Sequence, residues 1–282
     1  MISAQTGFSK KQAAQKFKGI EVERNEGRGR VVVVTGGASG IGLATAQVLI
    51  SRGWRVVITD INVNASHEAA NSIGADAAPF DVTDDAATRE AFTEIEERIG
   101  PIEALFANAG LIQPGSRPED TPFSEFDKVI SVNLRGVYVS CVSAGALMVK
   151  RGRGGIVITG SVTATRTAPL HAYAPSKAAV VHMAACLAAE WGRAGVRVNA
   201  VSPGYVATPP ILANIKSGKR DPRLLVGGSA MGRLVESEEI GRSVAFLLSD
   251  DASAITGINL PVDAGWLASS HLTTYGGVRE AF

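Results

Sequence analysis

Tyr173 and Lys177 stand four residues apart in the stretch HAYAPSKAAV, His171 to Val180. On a helix that spacing brings both side chains to one face. A tyrosine hydroxyl titrates near 10, too high for a general base at neutral pH. Lowering it by two or three units takes about 3–4 kcal/mol of preferential stabilisation of the phenolate. A lysine ammonium one turn away supplies part of that. Pro175 is compatible with a helix start, where a missing N–H has no intrahelical partner. A lone pair of this kind is more often two solvated side chains, so its meaning depends on the rest of the chain.

A second group of residues lies far upstream, in VVVVTGGASGIGLATAQVL. Gly36, Gly40 and Gly42 directly follow an apolar run and precede a helical pattern. Glycines so placed allow a tight turn, close approach of backbone to a pyrophosphate, and close packing of helix on strand. A helix starting at Ile41 offers its N–H groups and partial positive charge to phosphates. The next apolar run ends at Asp60, about 20 residues beyond, where a carboxylate can accept hydrogen bonds from ribose hydroxyls. It would repel a 2′-phosphate, and Ile61 and Asn62 follow it rather than Arg or Lys. This favours NAD(H) over NADP(H).

These groups need a frame that holds them. From Val31 onward, short β-branched runs alternate with longer amphipathic segments. The runs VVVVTG, RVVITD, DAAPFD, IEALFANAG, GGIVITGS, VRVNAVSPG and GINLPVDAG read as strands buried on both faces of a parallel sheet. The segments Ile41–Arg52, Ala65–Ile73, Asp84–Ile99, Phe123–Lys150, Tyr173–Arg193 and Ser237–Leu248 read as helices. Such alternation gives right-handed crossovers with helices on both faces. The expected fold is α/β: a single-domain Rossmann fold, a doubly wound parallel sheet of about seven strands. Residues 30–282 form that domain, with residues 1–29 as a flexible extension, or an amphipathic helix at Lys10–Phe17 docked on a neighbour. The long segment 206–235, rich in Gly, Pro and basic residues, follows a strand end and is expected to be a substrate lid.

Composition narrows the partners. A net charge of +1 gives no field for nucleic acid or an anionic membrane, and no run approaches the roughly 20 apolar residues of a spanning helix. Cys141 and Cys186 lack metal or redox spacing and are expected to be buried free thiols of a reducing, cytoplasmic compartment. The four histidines show no metal-ligand spacing, so no metal site is expected.

From Arg30 to Gly265 the chain resembles the short-chain dehydrogenase/reductase family. The resemblance rests on TGGASGIG, Asp60, DVTD at Asp81, ANAG at Ala107–Gly110, Asn133 in SVNLRG, Ser161, YAPSK, and VNAVSPGYVAT ending at Thr208. It implies that Tyr173 is the general acid/base and that Lys177 binds the nicotinamide ribose and lowers the tyrosine pKa. Ser161 would polarise the substrate oxygen, and Asn133 would hold a water linking Lys177 to solvent. The cofactor would be held by Gly36, Ser39, Gly40, Ile41 and Gly42 at the phosphates, Asp60 and Ile61 at the ribose, and Asp81 and Val82 at the adenine. Asn108, Ala109 and Gly110 would sit beside the ribose, with Pro203, Gly204, Val206 and Thr208 at the carboxamide.

The resemblance therefore implies an NAD(H)-dependent oxidoreductase acting on a secondary alcohol or ketone, assembled as a homotetramer or homodimer. The other reading is an NAD(H)-binding redox sensor or scaffold without turnover. The Ser161–Tyr173 spacing is one residue shorter than the family's usual one. Gln113, Arg117, Thr163, Arg166, His171, Tyr205, Lys219, Arg220 and Arg223 are candidate pocket residues, and the tail from Gly265 is expected to be able to reach a neighbour's site.

Overall fold

In the computed structural model, residues 26–113, 115–275 and 277–278 are described. The amphipathic segment at Lys10–Phe17 lies outside them. Four consecutive valines open β1 (Val31–Thr35), every residue of which is buried. β-Branched residues suit a strand covered on both faces, and the crossovers supply that cover. Then follow α1 (Gly40–Ser51), β2 (Arg55–Thr59), α2 (Val63–Ile73), β3 (Asp76–Ala77), α3 (Asp85–Arg98), β4 (Ile102–Ala107) and α4 (Phe123–Ile130). The second half adds α5 (Val137–Arg151), β5 (Gly154–Thr159), α6 (Tyr173–Trp191), β6 (Val196–Pro203), α7 (Pro209–Lys216), α8 (Pro222–Val226), α9 (Ser237–Leu248), β7 (Asn259–Val262) and α10 (Trp266–Ser269).

The seven strands form one parallel sheet in the order β3-β2-β1-β4-β5-β6-β7. Strand order reverses between β1 and β4, where Val34 pairs with Ile58 on one side and Phe106 on the other. Above that reversal an open α/β sheet has its natural crevice. Alternate residues feed two cores. Val33, Leu105, Ile156 and Ile158 pack with Phe92, Ile95 and Met148 on one face. Val34, Phe106 and Val157 pack with Leu49, Ile240 and Val244 on the other.

Local chemistry sets the helix ends. Asn62 and Asp84 cap α2 and α3 by accepting the backbone N–H of Ala65 and Ala87, and Gly74 ends α2 in the left-handed region. Glu236 and Glu239 form a capping box on α9.

Two expectations are corrected. The helix read as Phe123–Lys150 is interrupted by a wide π turn, Ser131–Gly136, between α4 and α5. Asn133, inside that turn, is held by hydrogen bonds to Leu111. Gly136 lies so close to Val82 that a Cβ would meet its Cγ2 at 2.8 Å. The whole stretch Phe123–Arg151 matches a spanning helix in length and hydropathy, yet half of its most apolar window is buried inside the fold. Second, Cys141 is buried but Cys186 is exposed on α6. The start of the segment after β7 packs against segment 206–235. Ser269 Oγ donates to Gly228 O at 2.7 Å, and Ser229 Oγ donates to Ala264 O at 2.9 Å.

Candidate active site

The cofactor end is built where β1 runs into α1. Gly36 has φ +63°, in the left-handed region, and a Cβ there would lie 2.9 Å from Ala109 Cα. A Cβ on Gly42 would lie 2.1 Å from Gly36 O. Ser39, the N-cap of α1, makes no capping bond with its hydroxyl, and the first turn carries no acid. The helix terminus is thus left to an external anion. A cavity of about 490 Å3 continues from Gly36 past Asp60, Ile61, Asp81 and Val82 to Gly110 and the π turn. Its depth and its apolar Phe80, Val82 and Val132 suit an adenosine, and the residues present therefore fit a dinucleotide. Asp60 accepts from the backbone N–H of Asn62 at 3.1 Å and of Ala38 at 3.4 Å, which aims its carboxylate at this cavity rim.

Asn108 ties the crevice together. Its Nδ2 donates to Thr35 O and Gly36 O, both at 3.2 Å, and its Oδ1 accepts from Thr159 Oγ1 at 3.2 Å. One side chain therefore fixes the C-terminal ends of β1 and β5 relative to β4. The strap from β6 passes Pro203 and Gly204 to Thr208, whose methyl lies 3.8 Å from where a Gly40 Cβ would sit. The base of segment 206–235 is pinned by the bridge between Val206 and Val235, both buried. Beyond the pin, Leu212, Leu224 and Met231 are exposed.

Tyr173 begins α6 and Lys177 follows one turn later, its Nζ 5.6 Å from the tyrosine ring centre. Lys177 is buried and donates to Thr159 O at 2.8 Å. Ser161 lies at the end of β5, also buried. The shortened connection to Tyr173 holds a 3-10 turn, Val162–Ala164. Tyr173 keeps part of its surface open, but the protein packed round its hydroxyl pushes the pKa up, while a hydrogen bond with Ser161 pulls it back. The lowering expected from Lys177 is thus not produced by the chain alone. Burial dominates, and it lowers Lys177 itself to about 8.

Asn133 is held by the chain through both ends of its amide. Its Nδ2 donates to Leu111 O at 2.8 Å and to Ser176 Oγ at 3.3 Å, and its Oδ1 accepts from Leu111 N at 2.7 Å. Both amide hydrogens are occupied, leaving one Oδ1 lone pair for a water. A Cβ on Gly110 would fall 3.4 Å from that oxygen and 3.6 Å from Lys177 Nζ, so both groups face the same point.

Two candidate pocket residues have other work. Gln113 is buried, and its Oε1 accepts the backbone N–H of Ala172 at 2.5 Å and of Tyr173 at 2.9 Å. It caps the catalytic-candidate helix from 60 residues away, a contact no local pattern could show. Gln113→Leu is expected to cost about 1–3 kcal/mol, since it leaves those two donors without an acceptor. Denaturant unfolding measures it; an unchanged midpoint would contradict the capping role. Arg223 pairs with Asp221, the N-cap of its own short helix, yet stays exposed, as do Lys219 and Arg220.

The buried Lys177 also sets a pH dependence. Its ordinary value is 10.5 and its folded value about 8. Between those pH values the unfolded chain binds more protons, so stability rises with pH. Cys141, raised from 9.0 to about 12 by burial, acts with the opposite sign above pH 9.0. Stability of the unliganded protein is therefore expected to climb by about 1 kcal/mol from pH 8 to 9, and Lys177→Met should flatten the climb. Urea unfolding across that interval measures it, and a flat wild-type profile would contradict a buried ammonium.

Sheet order, glycine turn and crevice define a dinucleotide-binding protein of the doubly wound class. The family model described as enoyl-(acyl carrier protein) reductase matches residues 36–267. Short-chain dehydrogenase reductase 3c of Arabidopsis thaliana is 35% identical over 243 residues, covering 84% of this chain and 94% of its own. Levodione reductase of Leifsonia aquatica is 36% identical over 253 residues, covering 85% and 95%. Among solved structures, a levodione reductase superposes with a TM-score of 0.79 at 34% identity, covering 85% of this chain and 98% of its own. A Brucella melitensis structure described as ribose-5-phosphate isomerase reaches 0.87 at 41%, covering 90% and 98%. The chain belongs to the short-chain dehydrogenase/reductase family, oxidoreductases that use a nicotinamide cofactor, NAD or NADP.

Proposed function

We propose that the protein is an NAD(H)-dependent oxidoreductase interconverting a secondary alcohol and a ketone, with Tyr173 as general acid/base. The observation that carries this is the buried Lys177 one turn from Tyr173, with Ser161 as the tyrosine's hydrogen-bond partner, above a glycine turn fitted to a dinucleotide. A redox sensor has no use for a buried lysine beside a tyrosine.

When bound, the cofactor supplies or accepts the hydride. Ser161 donates to the substrate oxygen, and that oxygen takes the Tyr173 proton as negative charge develops on it. With its pKa raised by burial, Tyr173 holds its proton at neutral pH, which suits ketone reduction. Alcohol oxidation needs the phenolate, which cationic neighbours, Lys177 and an oxidised nicotinamide, favour. Lys177 would hold the nicotinamide ribose, and Asn133 a water beside Lys177 at the point both face. Segment 206–235 would close over the substrate. Exposed Phe123, Phe126 and Tyr138 along the α4–α5 surface support a homotetramer built on that face. Cys141 and Cys186, both free, support a cytoplasmic setting.

Asp60 supports the NAD(H) assignment through charge: the rim offers a carboxylate, with Ile61 and Asn62 beside it. Asp60→Ala is expected to raise NADPH affinity relative to NADH at least tenfold, about 1.4 kcal/mol. Fluorescence titration with both cofactors reads this, and wild-type preference for NADPH would overturn the assignment. The function itself is tested by following reduced-nicotinamide absorbance with a panel of secondary alcohols, polyols, sugars and hydroxysteroids. Tight NAD binding without turnover of any would favour the sensor.

A further inference from the structure

A serine hydroxyl has one hydrogen to give and two lone pairs to receive. At Ser161 both lone pairs are taken by one neighbour. Thr163 donates its backbone N–H to Ser161 Oγ at 3.1 Å and its hydroxyl hydrogen to the same atom at 2.9 Å. The arrangement follows from the local fold, because Ser161 is the extended N-cap of the 3-10 turn that carries Thr163. What remains to Ser161 is its own hydrogen, and Tyr173, whose pKa the serine pulls down, is the neighbour that can receive it.

We propose that Thr163 is a positioning residue that makes Ser161 an obligate hydrogen-bond donor, its single hydrogen directed to Tyr173 in the free protein and to the reacting oxygen when substrate is bound. The proposal rests on the oxidoreductase reading above and adds a division of labour within it. An alcohol substrate cannot give its hydrogen to Ser161, because no lone pair is open to receive it. Its proton must therefore go to Tyr173, while Ser161 only stabilises the oxygen left behind. Accepting two hydrogen bonds also polarises the serine O–H, so its donation to a phenolate or substrate oxygen strengthens. The backbone bond alone would cap the turn; the second bond, from the threonine side chain, is the one that closes the last lone pair.

Thr163→Val removes that hydroxyl and keeps the backbone N–H, so the turn survives. The variant is expected to lower kcat about tenfold with KM within about twofold, an effect on transition-state donation. Thr163→Ser should restore kcat to within about threefold of wild type. A second readout needs no turnover. In the NAD+-loaded and the free protein, the phenolate absorbance of Tyr173, taken as the difference from Tyr173→Phe, should titrate at higher pH in Thr163→Val than in wild type.

Unchanged kcat and unchanged titration in Thr163→Val would overturn the proposal. So would a Thr163→Ser variant as impaired as Thr163→Val, which would assign the effect to methyl packing. Retained turnover in Tyr173→Phe would instead overturn the parent reading, so the two failures are distinguishable.

Discussion

Tyr173→Phe is expected to lower kcat by roughly a thousandfold or more while leaving NADH affinity within about threefold and the fold intact. Positioned acid/base groups contribute about 10²–10⁴ in rate, and the Tyr173 hydroxyl is the group proposed to move a proton to or from the substrate oxygen. The rest of the ring stays, so its packing near Lys177 is retained. Cofactor affinity should persist because the glycine turn, Asp60 and the adenosine cavity lie elsewhere along the crevice. Steady-state kinetics and a binding titration on the same preparation make the comparison. Turnover within tenfold of wild type would remove Tyr173 from the chemistry.

Gly42→Ala is expected to weaken NADH binding at least a hundredfold, about 2.7 kcal/mol, and to destabilise the protein by about 1–3 kcal/mol. The added methyl would stand 2.1 Å from Gly36 O and 2.9 Å from Asn108 Nδ2. The first is backbone and cannot swing aside, and the second belongs to the side chain that joins β1 to β5. Relief requires α1 to lift from the turn, which moves the helix terminus away from the phosphates it is shaped to receive. Gly192→Ala serves as the control: no atom lies within 4 Å of its Cβ position and its φ is −56°. Isothermal titration with NADH and thermal unfolding read both effects. Wild-type affinity in Gly42→Ala would show that the turn does not carry the cofactor.

The sheet was legible because seven short runs, most of them rich in β-branched residues and separated by amphipathic segments, admit few other arrangements, and the strands lie where those runs were read. The glycine turn and Asp60 were legible for a related reason, being local in sequence. What escaped depends on contacts between distant residues. The π turn around Asn133 is shaped by contacts with Leu111 and Val82, 22 or more residues away, and an apolar helical pattern carries no mark of it. Gln113 read as a pocket residue because its capping partners are 59 and 60 residues downstream. Cys186 sits in a helix so rich in alanine and other apolar residues that periodicity did not tell its outer face from its inner one. The tyrosine's surroundings were legible only in part: the Lys177 charge shows in the sequence, whereas the burial that opposes the phenolate depends on the folded packing.

Under the proposed function, hydride passes directly between the substrate carbon and the nicotinamide beside Tyr173. The most direct measurement takes a secondary alcohol that the protein oxidises, deuterated at the carbinol carbon, and determines the isotope content of the NADH formed. One deuterium per NADH on a single face of the ring is expected, together with a slower isotopic rate where transfer limits turnover. NADH formed without deuterium, or label transferred equally by Tyr173→Phe at the wild-type rate, would contradict it.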